Sequence, residues 1–200
     1  MVWRVSRSLG AMLAVVAAVS LGACSGLKSP PATFDLTAPR GERIGGAPRG
    51  QLLVAEPVAL AILDTDRVVA RPATGQVAYL SDVQWSDRLP KLLQARLLQT
   101  FENSSRLRAV GRPGERLTGD FQLVTEIRAF QVTSAGAEPV AEVEIAAKLV
   151  NDRTGRIFGA RIFRAAVPAA DSAGPPAVNA IDQAFGDVAR ELVRWASGLV

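Results

Sequence analysis

The chain holds a single cysteine, Cys24, and it closes the opening stretch MVWRVSRSLGAMLAVVAAVSLGAC. Arg4 and Arg7 precede an apolar run from about Leu9 to Leu21, and small residues fill the positions directly before the cysteine, which is the layout of a secretory signal. At roughly 13 residues the run is shorter than the roughly 20 that a helix needs to cross the hydrocarbon core. We therefore expect residues 1–23 to be a signal peptide that is removed, not a retained span.

Leu21-Gly22-Ala23-Cys24 resembles the bacterial lipobox, in which the cysteine thiol receives diacylglycerol, the signal is cut before it and the new amine is acylated. Cys24 is thus the expected lipid-anchor residue, and several acyl chains hold far more firmly than one. Ser25 follows it, not the aspartate that resembles an inner-membrane retention signal, so the expected address is the outer membrane, facing the periplasm. With Cys24 modified, the mature chain of about 177 residues folds in an oxidising compartment without a disulfide. Its stability must come from an apolar core, for which this length and a 48% hydrophobic content suffice.

Residues 24–50 read as a tether rich in breakers, among them Pro30, Pro31, Pro39, Gly45 and Gly46, with a short strand-like pattern near 33–38 in which Phe34 and Leu36 alternate with polar residues. Residues 51–200 read as one domain. Leu52 to Val58 is a nearly continuous apolar run, Arg67 to Arg71 and Gln76 to Leu80 are strand-like, and Leu63-Asp64-Thr65-Asp66 is a turn. The period then changes: Trp85, Leu89, Leu93, Leu97 and Phe101 recur every four residues, which predicts a helix capped by Ser86, with Asp87 and Pro90 in its first turn, ending near Asn103.

Period two returns from Phe121, and Phe130 and Val132 then break the alternation, which predicts a bulge or twist near Ala129. Ala141 to Leu149 alternates again, Asn151 to Gly155 is a hairpin loop by composition, and Ile157 to Val167 should return antiparallel. After the breakers Ala173-Gly174-Pro175-Pro176, Val178, Ile181, Phe185, Val188, Leu192, Trp195 and Leu199 step by three and four along a last helix. The expectation is an α+β fold of two layers, an antiparallel or mixed sheet with two amphipathic helices packed on one face.

The composition removes most chemistry. With no histidine and no thiol beyond Cys24, Ser-His-Asp triads, Cys-His pairs and ordinary zinc or iron sites are excluded. A Ser-Lys pair would need Ser86 to meet Lys91, roughly 140° away around a helix. Asp64 and Asp66 lack further acids at calcium-loop spacing and fit a simple turn. No phosphate-cradling glycine motif stands between a strand and a helix, so any ATP use belongs to a partner. We expect no catalytic residue, cofactor or metal, and hence no enzyme. Without Arg4 and Arg7 the formal charge of +4 falls to about +2, too weak to argue for nucleic acid. The basic run Arg106, Arg108, Arg112 and Arg116 reads as a solvated loop that could alternatively face lipid headgroups or an acidic protein. Trp85 and Trp195 read as core residues.

The lipobox, Thr33-Phe34-Asp35-Leu36, and the path from Val68-Val69-Ala70-Arg71 through Val77-Ala78-Tyr79-Leu80 to Trp85 and Leu89 together resemble the ABC-type transport auxiliary lipoproteins, the group that includes the paraquat-inducible C-type lipoprotein. That resemblance implies a non-enzymatic outer-membrane component working beside an MCE-domain periplasmic protein, an ABC permease and its ATPase, moving phospholipids or other hydrophobic molecules between membranes. The residues themselves also leave open a carrier with a lipid groove between sheet and helices, or a structural envelope lipoprotein or secretion pilot.

Overall fold

The longest alternating segment organises the sheet. In a computed structural model that describes residues 29–40, 49–104, 107–134, 136 and 138–200, the strands β7 (Phe121–Ser134), β8 (Val140–Asn151) and β9 (Ile157–Pro168) form an antiparallel meander. Its second turn is the expected hairpin. The Asn151 N–H donates to the Arg156 carbonyl at 2.8 Å, the Asn151 side chain accepts from the Thr154 N–H at 2.9 Å, and Gly155 takes the φ of +69° that the reversal requires. The predicted irregularity in β7 is a bulge at Arg128. Ile127 lies opposite Ile145 and Ala129 opposite Glu144, so Arg128 is the extra residue, and the buried set moves from Leu123, Thr125 and Ile127 to Phe130 and Val132.

A strand has two hydrogen-bonding edges, and β8 occupies one edge of β7 along almost its whole length. The other edge is shared end to end by three short parallel strands. β2 (Arg49–Val54) pairs with residues 121–123, β3 (Val58–Ala59) with 126–127, and β4 (Arg67–Pro72) with 131–134. The apolar run expected as one strand from Leu52 to Val58 is therefore divided. Pro57 has no N–H to give a ladder, and it lies in the break. Outside β2 lies β6 (Leu107–Gly111), parallel to it. Outside β4 lies β5 (Ala78–Trp85), antiparallel, and beyond β5 lies β1 (Ala32–Phe34), parallel. Among the described residues the result is a mixed nine-stranded sheet with two helices, the α+β class that the periodicities predict.

The helices α1 (Leu89–Ser104) and α2 (Gly174–Leu199) touch each other, and α2 lies along β8 and β9. The interior between helices and sheet is filled by large side chains. Phe130 meets Trp85 edge-on at 5.7 Å and Phe185 at 6.1 Å, and Phe163 meets Trp195 at 5.5 Å. Each fully buried side chain of this size contributes about 1.5–3 kcal/mol before entropy is counted, so this layer supplies the stability that no disulfide provides.

Three expectations are corrected at element ends. Trp85 is the last residue of β5, not the opening of a helix, although it is a core residue as expected. Ser86 does not cap α1. Its N–H donates to the Phe34 carbonyl and prolongs the β1–β5 pairing, while the Leu89 N–H at the helix start is satisfied by the Thr65 carbonyl at 2.9 Å. Pro175 and Pro176 do not precede the last helix but form its first turn, where a missing N–H costs nothing. The compact unit itself runs from Pro31 to Val200, so the segment around 33–38 belongs to the fold and Leu36 is part of its core.

Candidate functional site

The expected anchor, Cys24, lies outside the described residues, as does Arg106 of the basic run. What the structure does place is the chain just after it. β1 lies on β5, with Phe34 opposite Trp85, and residues 35–37 are gripped by both helices. The Arg96 guanidinium of α1 bonds the Asp35 carboxylate through two nitrogens, and Asp182 of α2 accepts the Thr37 N–H at 2.7 Å.

Most of the other residues singled out in the sequence have structural partners, whereas Arg108 and Arg116 are exposed. Asp64 and Glu56 both bond the Arg88 guanidinium, so the 63–66 turn is pinned to the start of α1. Arg88 is held above its ordinary pKa, first by the hydrogen bond to Asp64. Lys91 is engaged with Asp87 at 2.7 Å, and Asp87 is held below the usual carboxylate range by that bond and then by the Arg88 N–H. Arg112 pairs with Glu115 at 3.2 Å. Glu115 is likewise lowered, first by accepting the Arg112 N–H. Arg108 is exposed on β6, and Trp85 and Trp195 pack on core aromatics.

Sequence reasoning missed the face of the sheet that the helices leave uncovered. Paired residues on neighbouring strands share a face, so the register defines its surface. One row runs Glu126, Ala146, Ile162 and the next Val124, Lys148, Ala160. Val58 of β3 lies opposite Glu126 and closes the first row on the far side. Small Ala146 and Ala160 between larger neighbours leave a concavity of about 680 Å³. Val58 and Ile162 stand open to solvent beside it, at 64% and 44% exposure.

Beyond the groove the same face turns polar. Glu144 takes Arg164 at 2.6 Å and approaches Arg128 at 3.8 Å, while Arg128 also holds Glu126 at 3.2 Å. Arg164 is raised above its ordinary pKa by the Glu144 bond. Further on, Gln131 accepts from Arg71 at 2.7 Å and donates to Glu142 at 3.2 Å. Chemically this face is a mostly apolar trough bordered by an ion-pair ladder. Among the described residues no cluster of three or more acids, thiols or imidazoles could hold a metal ion.

Residues 33–193 match the family of ABC-type transport auxiliary lipoprotein components. The chain belongs to this family. That family comprises lipoprotein components auxiliary to ABC-type transport. Among solved structures, protein XCC0632 of Xanthomonas campestris superposes with a TM-score of 0.75 at 27% identity, over 84% of this chain and 96% of that one. A second crystal structure, of an uncharacterised protein 14% identical, shares the fold with a TM-score of 0.63 over 84% of this chain and 99% of its own. The uncharacterised protein bll6063 of Bradyrhizobium diazoefficiens is 31% identical over 95% of this auxiliary lipoprotein. The chain spans about half of that relative's length, 51%. The family match takes in β1 from its second residue, all of α1, α2 as far as Val193 and all the strands of the groove.

Proposed function

We propose that this auxiliary lipoprotein is a non-catalytic docking component of an MCE-type ABC transport system, held to the outer membrane by acylated Cys24 and facing the periplasm, where it helps move phospholipids or other hydrophobic molecules across the envelope. The observation that carries this reading is the spacing in sequence between the lipobox and the family match, which opens at Thr33, nine positions after Cys24. Seven residues separate Cys24 from Ala32, where β1 begins, and seven residues reach about 25 Å at most even when fully extended. A domain so held acts within a short distance of one membrane, and its exposed sheet face is what it has to offer a component rising from the other. The chain has no nucleotide motif, so the energy for transport comes from the ATPase of the partner assembly.

The test is co-purification. Full-length tagged lipoprotein extracted from membranes should bring with it an MCE-domain periplasmic protein, a permease and an ATPase, identified by mass spectrometry and lost when the tag is absent. Recovery of the lipoprotein alone after cross-linking in intact cells would contradict the docking role.

A further inference from the structure

We propose that the groove on the helix-free face binds one acyl chain of an anionic phospholipid, with its phosphate beside Lys148. The inference rests on the transport reading for the source of the lipid, but its chemistry stands on the groove itself. A volume of about 680 Å³ lies within the roughly 300–1,000 Å³ typical of ligand clefts. Its floor and walls come from Val58, Val124, Ala146, Ala160 and Ile162, on four different strands. The apolar side chains here are gathered in one concavity and not scattered singly.

The charge around the groove selects the class of lipid. Lys148 and Arg128 bring their charges to it against a single lining carboxylate, Glu126, whereas Arg161, paired in register with the buried Ala147, turns its guanidinium to the helix side over Phe163. Glu126 is engaged with Arg128, and Arg161 lies 3.8 Å from Glu191 on α2. Lys148 has no carboxylate partner among the described residues, and its register neighbours are the apolar Val124 and Ala160. An ammonium set among apolar side chains leaves its stem to pack on a chain and its head to meet an anion. The bulge at Arg128 adds to this. An extra residue turns the strand locally and increases its twist, and here it carries a guanidinium, in addition to the Lys148 ammonium, to the border of the trough. The opposite layer cannot serve, because the space between sheet and helices is filled by Phe130, Phe163 and Phe185, which are almost fully buried.

The experiment uses the full chain in vesicles that contain either phosphatidylglycerol or phosphatidylcholine with the same diazirine-bearing acyl chains. After irradiation, cross-linked peptides are mapped by mass spectrometry. Labelling is expected to concentrate on β7, β8 and β9 and to be at least five-fold greater with phosphatidylglycerol. Lys148→Glu should abolish that headgroup preference, and Ala160→Trp, which fills the groove from an exposed position, should lower labelling with both lipids while circular dichroism stays unchanged. Equal labelling by the two lipids, labelling spread over the helices, or labelling indifferent to Ala160→Trp would overturn the proposal. So would a photoreactive residue placed at Ile162 that captures a second copy of the chain in place of lipid. Co-purification with transport components is a separate measurement, so its success alongside failure here would remove the lipid site alone.

Discussion

Asp35 and Arg96 join the segment that leads into the fold to helix α1: the Arg96 Nε donates to Asp35 Oδ1 at 3.1 Å, and a second guanidinium nitrogen bonds Oδ2. The pair is partly open to solvent, so its net contribution is about 0–1 kcal/mol. Leu36 beside it is 3% exposed within the core. Burial, not the ion pair, decides whether this segment stays docked. Leu36→Ala should destabilise the folded unit by about 2–4 kcal/mol, whereas Asp35→Asn should change it by less than about 1 kcal/mol. Urea unfolding of the two variants measures both.

Two buried polar side chains should respond in opposite directions. Gln94 on α1 donates to the Val54 carbonyl at 2.9 Å, at the end of β2. Gln94→Leu leaves that carbonyl unpaired and should cost about 1–3 kcal/mol. The Thr125 hydroxyl is buried without a hydrogen-bond partner among the described residues. Thr125→Val should therefore raise stability by about 1 kcal/mol, or a melting temperature about 2–4 °C higher. A thermal scan of each variant checks the two signs.

The pH profile of stability should be flat through neutrality and fall in acid. The chain has no histidine, the side chain whose ordinary pKa lies between about 5 and 8. Asp87 and Glu115 have folded-state pKa values below the ordinary range, so their contribution is complete above about pH 5 and disappears as pH falls through the lowered values. Arg88 and Arg164, raised in the fold, contribute everywhere below the ordinary arginine range. Melting midpoints from pH 6 to 8 should agree within about 2 °C and drop below about pH 4. A midpoint that changes steadily across neutrality would run against this assignment.

Much of the fold is legible in the sequence because its elements are long and strongly periodic. The shift of apolar residues between Ile127 and Phe130 marks the bulge at Arg128, since a one-residue slip exchanges the faces of a strand. The three- and four-residue steps from Val178 to Leu199 mark α2. Periodicity fails at boundaries. Trp85 fits the four-residue spacing of Leu89 and Leu93 by coincidence of count, yet ends a strand. The run from Leu52 to Val58 is apolar throughout and conceals the break at Pro57. The groove was invisible for a different reason. Ala146 and Ala160 look unremarkable on β8 and β9 taken singly, and only the register that sets them beside Lys148, Ile162 and Val58 makes a concavity. An alanine on the otherwise charged face of β8, between Glu144 and Lys148, was the one available signal.

The proposed role requires acyl chains at Cys24 to hold this fold against a membrane. Metabolic labelling with radioactive palmitate, followed by cell fractionation, tests it most directly. The full-length chain should incorporate label and sediment with outer membranes, while Cys24→Ala should remain unlabelled. A chain that takes up no palmitate, or a Cys24→Ala variant that takes up label as the parent does, would contradict it.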